Sequence, residues 1–153
     1  MMAMAIADPQ RQLDSFIAKF SPNVAGRARE EISRMRALLP TATEMVYDNF
    51  NALAIGFGPS DHASDAIFSL AVFPKWVTLC FLQGAQVPDP DKRLKGDGTQ
   101  VRHLRLTEPG MLLSPEVRKL MLAALHIARV PISPATKHRI IIKSISAKQR
   151  PRK

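Results

Sequence analysis

The chain carries a single cysteine, Cys80, among 153 residues. An internal disulfide is therefore excluded, and so is a zinc site built from several thiolates. Aromatic residues are scarce: there is one Trp and one Tyr, and no aromatic follows Phe81. The second half thus lacks the flat side chains on which single-stranded bases stack. No apolar run approaches the ~18 residues of a membrane-spanning helix. The opening MMAMAIA is apolar but short, has no leading Lys or Arg and meets Asp8-Pro9 at once, so no secretory leader is expected. These absences predict a cytoplasmic protein without a membrane span.

Acid is also missing, but only from one part of the chain. From Met1 to Glu116 there are 12 Lys and Arg against 13 Asp and Glu, whereas from Val117 onward there are 10 Lys and Arg and no acid. The formal net charge of +9 belongs entirely to that last segment. The hydrophobic share of 46% suits a globular core. We expect one domain over residues 1–146, followed by a basic tail over 147–153.

What is present reads as alternating helix and strand signals. Asp8-Pro9, Ser21-Pro22 and Ser114-Pro115 each put an N-capping oxygen before a proline at the first helical position, where its missing N–H costs nothing. Apolar stripes follow at helical spacing: Leu13, Phe16, Ile17 and Phe20; then Ala25, Ala28, Ile32, Met35 and Leu39; then Val117, Leu120, Met121, Ala124, Leu125 and Ala128. Between helices the period changes to two. EMVYDNFNALAIGF predicts extended chain broken near Asn49 to Asn51, and AIFSLAVF and WVTLCFL flank a short connection at Pro74-Lys75. In QVRHLRL, Leu104 and Leu106 face one way while Val101, His103 and Arg105 face the other. RIIIKSIS is β-branched and predicts a last strand. Pro88, Pro90 and their neighbouring aspartates mark a surface loop. The expected fold class is α+β: a two-layer sandwich, with an antiparallel sheet of about five or six strands and helices packed on one face.

LKGDGTQVRHLRL, residues 94–106, has two glycines one residue apart behind a lysine. A phosphate-binding loop needs its lysine after the glycines and a helix beyond them. Here the order is reversed, Asp97 lies between the glycines and a strand follows, so the stretch predicts a tight turn. Lys95, His103 and Arg105 could still grip an anion together from the outward face of that strand. Cys80 lies in the apolar run WVTLCFL and is expected to be a buried, inert thiol. His62, His126 and His138 show no ligand spacing, and His126 flanks its helix's apolar stripe as a half-buried structural histidine. No Gly-x-Ser-x-Gly elbow occurs, and no carboxylate pair has a catalytic setting, so no enzyme is predicted.

LPTATEMVYDNFNALAIGFGPS, the strand pair after it, LKGDGTQVRHLRL and the ending IIIKSISAKQRPRK resemble the YdhG-like family of small bacterial domains. The resemblance covers most of the chain, most clearly Leu39 to Leu106. It implies a compact sandwich similar to frataxin, and with it the role of an intracellular iron chaperone. Such a role calls for hard oxygen ligands on the first helix and first strand, and the candidates are Asp14, Glu30, Glu31, Glu44 and Asp48, with Asp8. Arg27, Arg29, Arg34 and Arg36 interleave with Glu30 and Glu31, and opposite charges at helical spacing also pair with one another. Ferrous iron is the one cofactor this resemblance suggests.

The basic end offers the alternative. Lys143, Lys148, Arg150, Arg152 and Lys153 could attract nucleic acid or an acidic partner protein, by charge and without sequence preference. Two expectations follow: a non-enzymatic ligand-binding or carrier module with an iron-chaperone role, or an interaction protein docking through its basic C-terminus.

Overall fold

The computed structural model describes residues 8–153; Met1 to Ala7, and the leader expectation attached to them, lie outside the described residues. The three proline-led helices form as the capping signals predict. Helix α1, Pro9–Ile17, is capped by Asp8, whose side chain accepts from the Gln10 N–H. Helix α2, Pro22–Leu38, and helix α3, Pro115–Ile127, are capped by the hydroxyls of Ser21 and Ser114, which accept from Val24 and Val117 N–H. Each cap satisfies a donor that the first turn leaves free, a contribution of about 1 kcal/mol.

The strands are β1 Thr43–Asp48, β2 Leu53–Gly58, β3 Phe68–Val72, β4 Val77–Phe81, β5 Arg102–Arg105 and β6 Arg139–Ile145. They make one sheet in the order β5-β4-β3-β2-β1-β6. The helices pack on the face shared by Leu53, Ile55, Phe57, Leu70, Val72 and Leu79, all essentially without solvent exposure. Phe68 and Phe81 meet edge to face in this core, with ring centroids 5.5 Å apart. The opposite face carries smaller residues, and one row across it runs Met45, Gly56, Ser69, Cys80, His103. The architecture is α+β with helices on a sheet, as the element order predicts.

The sheet is not wholly antiparallel. Strands β1 to β5 are, but β6 lies parallel to β1, with a register shift between Val46 and Tyr47. The reason is the connection. β5 and β6 occupy opposite edges, and the chain between them contains α3, which lies on the core face. A helix carries the chain back to the end where β5 began, so β6 runs in the same direction as β5 and therefore as β1.

The basic tail is not a separate appendage either. Arg150 N–H donates to the Phe50 carbonyl at 2.9 Å, and Arg152 is only 5% exposed. The segment folds against the β1–β2 turn because a buried carboxylate there, Asp48, needs cations around it. His126 departs from expectation as well: it is exposed, since α3 turns its stripe of Val117, Leu120, Met121 and Ala124 to the core and His126 away from it.

Candidate anion-binding site

The glycine stretch forms a turn. Gly96 takes a φ of 121°, which side-chain-bearing residues rarely adopt, and lets the chain fold back on β5. Lys95 and His103 then exchange both backbone hydrogen bonds at 2.8 Å, a directly opposed pair whose side chains share one face. Arg105, two residues beyond His103, lies on that face too. The structure therefore brings Lys95, His103 and Arg105 together at the edge of the sheet face opposite the helices, and all three are exposed.

Arg105 is held by a residue the sequence did not single out. Its guanidinium carbon lies 3.8 Å from the ring centroid of Trp76, and Phe73 packs beside Trp76 with ring centroids 5.7 Å apart. The hairpin connection sets this up, with Phe73 N–H donating to the Trp76 carbonyl at 2.9 Å. A stacked guanidinium keeps its in-plane N–H donors free while its position is fixed. Register offers a signal for this contact: Arg105 pairs with Thr78, so Trp76 is its diagonal neighbour.

Past β5, the Leu106 carbonyl accepts from Arg27 Nη2 at 2.7 Å, tying α2 to the end of the sheet. Between these elements lies a cavity of about 280 Å³ lined by Asn23, Arg27, Lys75, Trp76, Arg105 and Thr107, among others. None of the described carboxylates lines it. Among the described residues, Lys75, Lys95 and Arg105 take part in no ion pair.

The metal-ligand candidates are placed differently. Glu31, Glu44 and Asp48 are completely buried, and each is engaged by cations. Arg36 grips Glu44 with two hydrogen bonds, at 2.7 and 2.9 Å, and His138 Nε2 reaches the same carboxylate. That fork raises the Arg36 pKa despite the opposing effect of burial. Glu31 takes a 2.7 Å bond from Arg34 and lies 3.6 Å from Arg27. Asp48 receives Lys19 at 2.6 Å and Arg152 at 2.9 Å. Burial alone would push the Asp48 carboxyl up, but hydrogen bonds from Lys19, Gln149 and Arg152 outweigh it and hold it below its usual value. Asp8, the cap of α1, and Asp14, within that helix, are exposed, and Glu30 is 55% exposed beside Arg34. Among the described residues no group of three His, Cys, Asp or Glu side chains is placed to hold a metal ion.

The basic-end candidates also separate. Lys143 donates to the Asp61 carbonyl and Arg150 lies over the Phe50 ring, while Lys148 and Lys153 are exposed. Arg152 is buried on Asp48, which takes it out of reach of any polyanion. Cys80 sits half-buried on the face opposite the helices rather than in the core, and burial pushes its thiol pKa up. A larger cavity, about 470 Å³, opens where Ile67, Gln83, Gln86, Gln100 and Ile127 meet. Among the described residues no helix is long and apolar enough to cross a membrane. No protein-family model, no curated protein and no solved structure matches this chain.

Proposed function

We propose that this protein is a binding module for anionic ligands, acting without catalysis, and that the ligand is taken at the β4–β5 end of the sheet. One observation carries the reading: Lys75, Lys95 and Arg105 stand with His103 around that end, with Arg105 fixed on Trp76, and none of the three cations has a carboxylate partner among the described residues. Cations already paired with carboxylates need no further anion, whereas a group of uncompensated ones gains from one. Burial pushes up the pKa of the Cys80 thiol beside His103, which favours binding over covalent chemistry at that position.

The YdhG-like resemblance remains compatible with a carrier of this kind, and the iron role it implies is the less favoured version. A ferrous ion at Glu44 or Asp48 would have to displace Arg36 or Lys19 and Arg152 from buried bonds. Docking through the basic end has fewer free cations than the sequence suggests, because Arg152 and Lys143 are engaged.

Trp76 is the only tryptophan, so its fluorescence reports directly on the site. Titration with polyphosphate at low salt is expected to give a saturable fluorescence change, weakened several-fold in Lys95→Gln and Arg105→Gln. Binding that leaves Trp76 fluorescence unchanged, and that neither substitution weakens, would place the anion elsewhere and overturn the reading.

A further inference from the structure

The cavity under Arg105 narrows the ligand class, an inference that rests on the anion-binding reading above. We infer that it is a seat for one compact phosphate group, held between Arg105, Lys75 and Arg27, as a phosphate monoester or inorganic phosphate.

Three features separate this cavity from the exposed edge. It is concave, about 280 Å³, so an anion within it meets protein on several sides and not one. Its cations come from three elements: Arg27 from α2, Lys75 from the β3–β4 connection and Arg105 from β5. Charges converging from separate elements surround a point, whereas an extended chain of phosphates needs charges strung along a line. Two of the three cations are held in place before any ligand arrives. Arg105 is stacked 3.8 Å from the Trp76 centroid, and Arg27 is anchored by its bond to the Leu106 carbonyl. Preorganised guanidiniums lose little freedom on binding and present forked donors that match phosphate oxygens.

The surrounding groups agree. Glu31, the only acid paired with Arg27 among the described residues, accepts its close bond from Arg34 and stands 3.6 Å from Arg27, so the Arg27 charge is only loosely offset. The cavity also reaches Asn23, in the first turn of α2, where the helix dipole favours negative charge. Asn23 and Thr107 add neutral polar groups at its rim. Lys95 and His103, by contrast, do not line it and belong to the outer edge.

The test is calorimetric titration of the full chain with inorganic phosphate, alongside Trp76 fluorescence, at low ionic strength. One site per chain is expected, with affinity reduced about tenfold or more in Arg105→Gln and in Lys75→Gln, because each removes a charge-assisted bond. Both residues are exposed, so these variants are expected to keep the native denaturation midpoint. Lys95→Gln, outside the cavity, should weaken phosphate binding less than Lys75→Gln does, and Lys148→Gln, exposed and remote from the cavity, should leave it unchanged. Polyphosphate binding without phosphate binding would overturn the single-phosphate seat and leave the broader reading standing. Failure of both ligands would remove the two together. Equal sensitivity to Lys95→Gln and Lys75→Gln would put the phosphate on the edge and not in the cavity.

Discussion

Arg152 Nη2 lies 2.9 Å from Asp48 Oδ1, and both side chains are buried although more than a hundred residues separate them. Arg152 also donates to the Asn49 carbonyl at 2.6 Å, and its guanidinium lies over the Phe20 ring. One residue from the end of the chain therefore closes the β1–β2 turn and the end of α1 together. Arg152→Ala is expected to lower stability by about 3 kcal/mol, because it leaves a buried carboxylate with Lys19 as its remaining close cation. Lys153→Ala, at an exposed position, should change it by less than about 0.5 kcal/mol. Urea denaturation of the two variants decides the matter; equal midpoints would mean that the final segment does not dock.

The same pair sets an acid limb. The Asp48 carboxyl is held below its unfolded value of about 3.9. Its contribution to stability is therefore complete above that value and is lost as pH falls through the folded pKa. Asp48→Asn should be less stable than the parent at pH 7, and the gap should close below about pH 4. Denaturation midpoints measured from pH 6 down to 2 will show this; a gap that stays constant would assign the loss to packing and not to charge.

Gly84 determines how closely β5 is approached. A Cβ there would lie 2.5 Å from the Arg102 Cβ and 2.9 Å from its backbone nitrogen. Gly84→Ala must move the start of β5, at a cost of about 1–3 kcal/mol. The displaced strand carries His103 and Arg105, so anion binding should weaken along with stability. A variant with the parent's melting temperature would contradict the contact.

Cys80 should react slowly. Its thiol pKa is raised by burial, so less thiolate is present at neutral pH than in an exposed cysteine. A chromogenic disulfide reagent at pH 7.5 is expected to modify the native protein several-fold more slowly than the urea-unfolded chain. Equal rates would show the thiol to be open and return nucleophilic chemistry to consideration.

Ferrous iron provides a direct contrast with phosphate. Under anaerobic conditions, calorimetry is expected to show no stoichiometric low-micromolar site, since Glu31, Glu44 and Asp48 are buried against cations. Saturable binding that disappears in Glu44→Gln would require Arg36 and His138 to release that carboxylate, and would revive the chaperone role.

Local chemistry was enough to place most of the scaffold. Capping serines and an aspartate before prolines start all three helices, and period-two alternation locates β3, β4 and β5, with His103 and Arg105 outward and Leu104 inward. These features depend on neighbours within a few residues, which a sequence displays openly. The grouping of Lys95, His103 and Arg105 was legible for the same reason: a short turn and one strand connect them.

Features that depend on distant partners emerge only when the elements pack. The direction of β6 follows from the route of α3 across the sheet, and periodicity within RIIIKSIS carries no record of that route. The charge asymmetry of the sequence is partly cancelled in space, as Arg129 meets Asp65, Arg139 meets Asp61 and Arg152 meets Asp48. Counting charges along a chain cannot anticipate such pairs, because electrostatic energy depends on separation in space and on burial. Trp76, Lys75 and Arg27 join Arg105 only after a hairpin, a helix and a strand have packed. Residue types and their order set which side chains could be cations on a surface; packing set which of them remain free to hold an anion.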